Sequence, residues 1–390
     1  MPYTRIASSP VTHIGWGAIK KLGSEIEQYD PAKILIVADP VLQSLGFVDK
    51  IISAIQNGKR EIDIYTDLIP EPTLQTGQTI VNFTRTGNYS LVVGIGGGSA
   101  LDMSKLAAVF ANNPGNLTEY LNLTATRTIQ YKGIPKILIP TTSGTGAEVT
   151  NIAVLALEKT KDVIAHDYLI ADVAIVDPAL TITVPPAVTA ATGADALTHA
   201  IEAFLSVNAN AYSDGLALQA IRLIGGSLET AVKNGKDEQA RTDMAYGSYL
   251  AGLAFFNAGV GAVHALAYPL GGQFHLAHGA SNAVLLPYVL NYISNSCFPK
   301  MKTILEMFGV ESKELTDPEA AKKCVVLLGS LIKNIGIPDK LGDFGIPETA
   351  AMALAADGIL QKRLLARCPM TLEEPDILKI YQSAFAGILQ

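Results

Sequence analysis

Short β-branched runs alternate with longer helical stretches through the first half of the chain, and this rhythm leaves few folds open. The runs are KILIVAD at 33–39, EIDIYTDL at 61–68, SLVVGIGGG at 90–98 and KILIPTT at 136–142. Between them lie a helical stretch at 41–58, a second from about Thr73 and a third from Ser99. Strands joined by connections of this length run parallel, and the connecting helices cover the sheet on both faces. IAVLAL at 152–157 and VAIVDP at 173–178 are read as a further strand pair closing this half. Pro185 and Pro186 then stop the strands, and Ala- and Leu-rich helical runs continue to the end. At 390 residues the chain exceeds what one core usually supports. The expected fold class is therefore an α/β domain over residues 1–185 followed by an all-helical domain over 186–390.

Composition removes several classes of function. A net charge of −7 with no Lys/Arg run argues against a nucleic-acid partner, because phosphate binding needs a basic face. Cys297, Cys324 and Cys368 are odd in number and lack metal-ligand spacing, which suits a reducing cytoplasm better than a disulfide framework. The first residues show no basic region followed by an apolar stretch, so no signal or transit peptide is expected. From 244 to 299 there is no Asp, Glu, Lys or Arg, which raises the question of a membrane. The same stretch carries His264, His275, His278, Asn257, Gln273 and Asn282 among glycines and prolines, so it is read as the interior of a helical domain.

Asp195 and His199 stand four apart in GADALTHAIEAF, on one face of a helix, and His264 and His278 follow in the uncharged stretch. One carboxylate and three imidazoles in a chain with six histidines point to a divalent-metal site, set against the plainer reading of each histidine as a core or cap residue. A second chemistry lies at the strand ends. LVVGIGGGSALDMSK places glycines between a strand and a helix, where backbone N–H groups and the helix dipole favour a pyrophosphate, or form a tight capped turn. PTTSGTGAE at 140–148 follows another strand and offers Thr141, Thr142, Ser143 and Thr145 hydroxyls. Two such loops at one end of a parallel sheet favour a nucleotide crevice there, since ligands of open α/β sheets bind outside the carboxyl ends of the strands. Asp39, ending the first run, can accept from a ribose and repel a 2′-phosphate, favouring NAD over NADP, or simply start a turn before Pro40. Lys161 can reach a nicotinamide ribose or stand solvated.

GGGSALDMSK, PTTSGTGAEVT, GADALTHAIEAF and HALAYPLGGQFHLAHGASNA occur in an order and spacing that resemble the iron-containing, group III, alcohol dehydrogenases along essentially the whole chain. The resemblance implies an N-terminal α/β dinucleotide domain, a C-terminal helical domain of the dehydroquinate synthase kind and a metal between them. It implies Asp195, His199, His264 and His278 as ligands of Fe²⁺, with Zn²⁺ as an alternative. It implies dinucleotide contacts at Asp39, Gly97, Gly98, Ser99, Asp102, Thr141, Thr142, Thr145, Asn151, Lys161 and Leu180, and Phe255 in the substrate pocket. Two departures stand out. Tyr268 occupies a position where many members carry a proton-relaying histidine, which leaves Tyr268 or His275 for that role, and Glu71 stands where asparagine is expected. The activity implied is hydride transfer between NAD(H) and a small primary alcohol, diol or aldehyde, at a metal that lowers the pKa of the alcohol oxygen, in a homo-oligomer of two or more copies. A hydroxyacid–oxoacid transhydrogenase and a dehydroquinate synthase-like lyase are the alternatives, the lyase being disfavoured by the lack of basic residues between His264 and His278.

Overall fold

The computed structural model describes residues 4–55, 60–158 and 160–389. Its first half contains strands β1 (Val11–Ile14), β2 (Lys33–Ala38), β3 (Glu61–Tyr65), β4 (Leu91–Gly96), β5 (Lys136–Pro140), β6 (Ile152–Ala156), β7 (Lys161–Ala165) and β8 (Val173–Val176). Helices α1 (Leu22–Tyr29), α2 (Pro40–Ser44), α3 (Phe47–Ile55), α4 (Leu74–Gly87) and α5 (Gly98–Phe110) connect them. The expected helix over 41–58 is broken at Gly46, which adopts a φ of 71°, and its residues 56–58 lie outside the described ones.

Six strands form one parallel sheet in the order β1-β8-β5-β4-β2-β3. The two-residue period of a strand sorts its side chains between two cores. Ile34, Ile36, Leu91 and Val93 pack with Leu22, Ile26, Val48 and Ile51 from α1 and α3. Leu35, Val37 and Val92 pack on the other face with Ile80, Val81, Met103 and Leu106 from α4 and α5. Both faces are covered, so the central strands read as unbroken apolar runs.

One expectation fails in detail. The segments at 152–157 and 173–178 do not pair with each other. β6 pairs antiparallel with β7 as a separate hairpin, whereas β8 joins the large sheet between β5 and β1. β7 was hidden because it opens with Lys161 and Asp162, and β1 because it is four residues long and half exposed.

The second half is helical: α6 (Pro186–Leu205), α7 (Ala211–Lys233), α8 (Glu238–Ala258), α9 (Ala262–Phe274) and α10 (His278–Ile293) come first. They are followed by α11 (Phe298–Met307), α12 (Asp317–Asn334), α13 (Ala351–Gly358), α14 (Lys362–Leu365) and α15 (Glu374–Ala386). Pro186 sits in the first turn of α6, where its missing N–H costs no hydrogen bond. α6 is buried on nearly every side from Gly193 to Leu205, as a helix at the centre of a domain must be. No single helix among the described residues is long and apolar enough to cross a membrane, and α8 with α9 passes only as a pair bent by 104°.

The two halves meet at backbone contact distance where Gly146, with a φ of 61°, lies on Gly252 of α8. A Cβ on Gly252 would come within 2.9 Å of the Gly146 Cα and of Val149 Cγ2. Gly226 in α7 is exposed, and a Cβ there meets nothing within 4 Å. Gly252→Ala is therefore expected to destabilise the protein by about 1–3 kcal/mol, whereas Gly226→Ala is expected to be neutral or stabilising by up to about 1 kcal/mol. Thermal unfolding of the two variants side by side checks this, and equal shifts in Tm would contradict the close-approach argument.

Candidate metal and dinucleotide cleft

The sheet order contains a switch point. From β2 the chain steps outward to β3, then crosses back over β2 to lay β4 on its other side and continues through β5 and β8. Ligands of open parallel sheets bind outside the carboxyl ends of the strands where the direction reverses, here between β2 and β4. Asp39 follows β2 and Gly97 follows β4. Gly96, with a φ of 151°, lies so close to Asp39 that an added Cβ would stand 3.2 Å from the Asp39 Cβ. Gly97 is the N-cap of α5 and offers no side-chain hydrogen bond, which leaves the first-turn N–H groups of Gly98, Ser99 and Ala100 available for an anion.

The second loop lies across the first. Thr141 donates its N–H to the Gly96 carbonyl at 2.9 Å. Thr142 and Thr145 sit over Gly97 and Gly98, within 3.6 and 2.7 Å of where their Cβ atoms would be. Leu180 belongs to the apolar cluster under the strand ends, with Ala38 and Ile139.

Other expected dinucleotide residues make contacts within the chain. Asp39 Oδ1 accepts the Val41 N–H at 3.0 Å, so Asp39 does cap α2 as a turn-starting residue. Asp102 is buried, and its two oxygens take the Lys105 ammonium at 3.0 Å and the Val154 N–H at 3.0 Å. Its carboxylate braces α5 against the β6–β7 hairpin. The Asn151 amide donates to Asp167 at 3.2 Å at the end of the same hairpin. Lys161 is not solvated. Its side chain is 6% exposed and its Nζ lies 2.9 Å from Glu71 Oε1.

On the helical side, Asp195 and His199 of α6 share a face with Glu202, at positions i, i+4 and i+7. Donor atoms of Asp195, His199 and His264 all lie within 4.8 Å of one another. From the Asp195 carboxylate, His264 Nε2 is 3.6 Å away, His278 Nε2 3.7 Å and His199 Nδ1 4.0 Å. Two ligands of one ion at about 2.1 Å stand at most ~4.2 Å apart, so each of these separations admits a shared cation. The tight group is Asp195, His199 and His264, and His278 joins it from the cleft side, its side chain 26% exposed.

Two buried nitrogens that face Asp195, His199 Nδ1 and His264 Nε2, have no hydrogen-bond partner among the described residues; His278 Nδ1 has none either, whereas His278 Nε2, on the Asp195 side, lies 3.3 Å from the Asn282 amide nitrogen. Buried polar atoms are almost always satisfied, and two partnerless imidazole nitrogens beside a buried carboxylate fit the donor set of a metal cation. Burial alone would raise the Asp195 pKa, but the imidazoles of His199, His278 and His264 outweigh it and hold the group well below the carboxylate range. Burial lowers His199 to about 4 and pushes His278 well below its ordinary value. With His199 and His278 neutral, the positive charge that keeps Asp195 ionised falls to a proton on His264 or to a metal cation in its place, and an ionised carboxylate with neutral imidazoles is the state that ligates a cation. His264 differs. Burial disfavours its charged form, yet Asp195 and Glu202 raise it to about 9, and a field that favours a proton at that nitrogen also favours a metal cation in its place.

Sequence reasoning missed two supporting residues. Glu202 accepts from His264 Nδ1 at 2.6 Å and from the Val263 N–H at 2.6 Å, which fixes the ring and aims Nε2 at Asp195. Asn282 donates to Asp195 at 2.8 Å. Both were detectable, because Glu202 continues the Asp195–His199 face and Asn282 follows His278 by four. Phe255 stacks on His199 with ring centroids 4.3 Å apart. Tyr268 lies 6.0 Å from the His278 ring, and burial raises its phenol further above neutrality. His275 is not brought in. It is the exposed, left-handed C-cap of α9, and no hydrogen bond or ring contact joins it to the cluster among the described residues.

The two halves of the cleft are joined directly. Gly144, within the loop that overlies Gly97 and Gly98, packs on α6, where an added Cβ would stand 2.7 Å from the Thr192 Cβ, and its backbone favours a proton on the His199 ring. A cation site thus opens beside a dinucleotide crevice.

Comparison with known proteins agrees with this arrangement. Residues 9–178 match the family model for iron-containing alcohol dehydrogenase, and residues 189–385 match that for the C-terminal part of the Fe-containing alcohol dehydrogenase family. The chain belongs to the iron-containing alcohol dehydrogenase family. It is 58% identical over 389 residues to long-chain-alcohol dehydrogenase 1 of Geobacillus thermodenitrificans (strain NG80-2), spanning 100% of this chain and 98% of that one. It is 35% identical to the NAD-dependent methanol dehydrogenase of Bacillus methanolicus, spanning 89% and 91% of the two chains. Among solved structures, 1,3-propanediol oxidoreductase superposes with a TM-score of 0.94 at 36% identity, over 98% of this chain and 100% of that one. The protein is an NAD(H)-dependent oxidoreductase that interconverts alcohols and aldehydes, and the alternative lyase and transhydrogenase readings are not favoured.

Glu202→Gln is expected to weaken divalent-metal binding about 10–100-fold while leaving the fold intact. Chelator competition measures this, and wild-type affinity in the variant would remove Glu202 from the support of His264.

Proposed function

We propose that Asp195, His199, His264 and His278 together hold one Fe²⁺, with Zn²⁺ as a competent substitute, and that the protein oxidises uncharged primary alcohols to aldehydes with NAD⁺ and catalyses the reverse reaction. The observation that carries this reading is the buried Asp195 carboxylate with the donor nitrogens of His199, His264 and His278 within 4.0 Å of it, two of them without a hydrogen-bond partner. Carboxylate and imidazole donors suit Fe, Zn and Ni alike, so iron follows from the family and from cellular supply. When bound, such a cation supplies Lewis acidity that lets an alcohol ionise near neutral pH, and the nicotinamide ring takes up or gives back a hydride.

The chain's own groups do the rest. Asp195 and Glu202 keep two negative charges within reach of His264, which concentrates cation affinity at one point. Gly97, Gly98 and Ser99 present backbone N–H groups to the pyrophosphate, with Thr141, Thr142 and Thr145 closing over them. Asp39 takes the adenosine ribose and disfavours a 2′-phosphate. Lys161 is directed to the nicotinamide ribose. Phe255, stacked on His199, gives the substrate chain an apolar wall within a stretch, 244–299, that has no Asp, Glu, Lys or Arg. His278 is the most exposed of the four ligands and marks the side on which the proton leaves. Tyr268, buried and with a raised phenol, serves as pocket wall rather than relay. We place the protein in a reducing cytoplasm, which suits an odd number of cysteines without metal-ligand spacing.

Anaerobically purified protein assayed with a panel of C2 to C12 primary alcohols, diols and hydroxy acids tests the substrate class. Uncharged primary alcohols are expected to give NADH in proportion to metal content, and the hydroxy acids to give little. Turnover confined to hydroxy acids, or unaffected by complete metal removal, would overturn the reading. Asp39→Gly is expected to raise kcat/KM with NADP⁺ relative to NAD⁺ by about tenfold or more, since like-charge contact costs several kcal/mol. An unchanged ratio would show that Asp39 only caps α2.

A further inference from the structure

Glu71 lies between Pro70 and Pro72 and adopts a φ of 52°, one of four non-glycine residues with positive φ among those described. A residue before proline is steered toward extended backbone, so this conformation has to be imposed by its surroundings. The surroundings are visible. The Pro72 carbonyl accepts from the Ala156 N–H at 2.8 Å, and Thr73 bridges to Ala156 before capping α4 through its own hydroxyl. The turn is thereby fastened to the β6–β7 hairpin.

Its carboxylate points the other way, across the cleft. Glu71 Oε1 lies 2.9 Å from Lys161 Nζ and 3.1 Å from the His278 backbone nitrogen, which donates to it. Lys161 opens β7, and its stem passes close over α9, where a Cβ on Gly271 would stand 3.1 Å from Lys161 Cε. Gly271 lies three residues after Tyr268 and seven after His264, on the same helical face. His278 is the first residue of α10. One oxygen atom therefore ties the lysine of the dinucleotide side to the backbone of a histidine on the metal side.

We propose that Glu71 is a positioning residue that fixes Lys161 relative to His278, and so sets the spacing between the nicotinamide end of the cofactor and the metal-bearing wall. This rests on the functional reading above, in which Lys161 faces the nicotinamide ribose and His278 the metal. The two contacts of Oε1 differ in kind. The ammonium needs the charge, because a buried cation without a counter-charge is costly, whereas the His278 N–H needs only an acceptor.

Two variants separate these contacts. Glu71→Gln keeps an acceptor of the same length without the charge, and Glu71→Ala removes both. NADH affinity is read by fluorescence titration, Zn²⁺ affinity by competition with a colorimetric chelator, and the hydride step by the deuterium isotope effect on kcat with a 1,1-dideuterated alcohol. Glu71→Gln is expected to weaken NADH about tenfold, the scale of one charge-assisted hydrogen bond, with Zn²⁺ binding unchanged and a larger isotope effect. Glu71→Ala is expected to weaken NADH similarly and Zn²⁺ by about tenfold as well, as loss of support behind a ligand does. In a Lys161→Met background, Glu71→Gln is expected to change NADH affinity no further. Wild-type NADH affinity in Glu71→Gln, or an effect that persists in full on Lys161→Met, overturns the proposal alone. Wild-type protein that binds no NADH overturns the dinucleotide assignment, and this proposal with it.

Discussion

A carboxylate buried as deeply as Asp195 must be compensated from within, since an isolated charge in a protein interior costs many kcal/mol. The compensation comes from four side chains on three helices: His199 from its own helix α6, His264 from α9, and His278 and Asn282 from α10. Those contacts fix how the three helices sit. They also leave imidazole nitrogens without partners, so compensation by protein groups alone is incomplete. A divalent cation completes it. The charge arrangement that would be a liability in an inert core is thus an affinity for metal, which Glu202 reinforces from behind His264.

The parallel sheet contributes the other half of the site through its topology. A reversal of strand order between β2 and β4 opens the crevice, and Gly96 with Gly97 lets the chain turn into α5 without side chains in the way. The loop after β5 carries the connection between the two chemistries. Thr142 and Thr145 lie over the glycines, Gly144 meets Thr192 of α6 and Gly146 meets Gly252 of α8. This loop is thereby in contact with both the glycine turn and the helix that carries Asp195 and His199. Glu71 adds a second tie on the opposite side of the cleft, between Lys161 and α10.

Much of this was legible in the sequence where a local period carried it. The runs at 33–39, 61–68, 90–98 and 136–142 became β2 to β5 because buried parallel strands need continuous apolar residues. Pro185 and Pro186 marked the start of α6 because proline fits a first helical turn. Asp195 and His199 were legible as a pair from their spacing. What local pattern does not carry was lost. β6 and β8 look alike as apolar runs, and only tertiary pairing sends one to a hairpin and the other to the main sheet. Local pattern does not show that Asp102 braces α5 on the hairpin, since a carboxylate's partner is decided in three dimensions, whereas the capping of α2 by Asp39 was one of the two readings its place before Pro40 offered. Glu202 and Asn282 went unnoticed although they continue visible helical faces, because a supporting residue has no chemistry of its own to draw attention.

The most direct measurement of the central claim is an anomalous difference map collected across the iron absorption edge from crystals grown anaerobically with Fe²⁺ and NAD⁺. The account expects one peak per chain, bounded by Asp195, His199, His264 and His278 at about 2.0–2.2 Å, with the nicotinamide ring of the bound cofactor facing it across the cleft. A peak elsewhere, no peak at full cofactor occupancy, or a dinucleotide bound away from the β2–β4 switch point would contradict it.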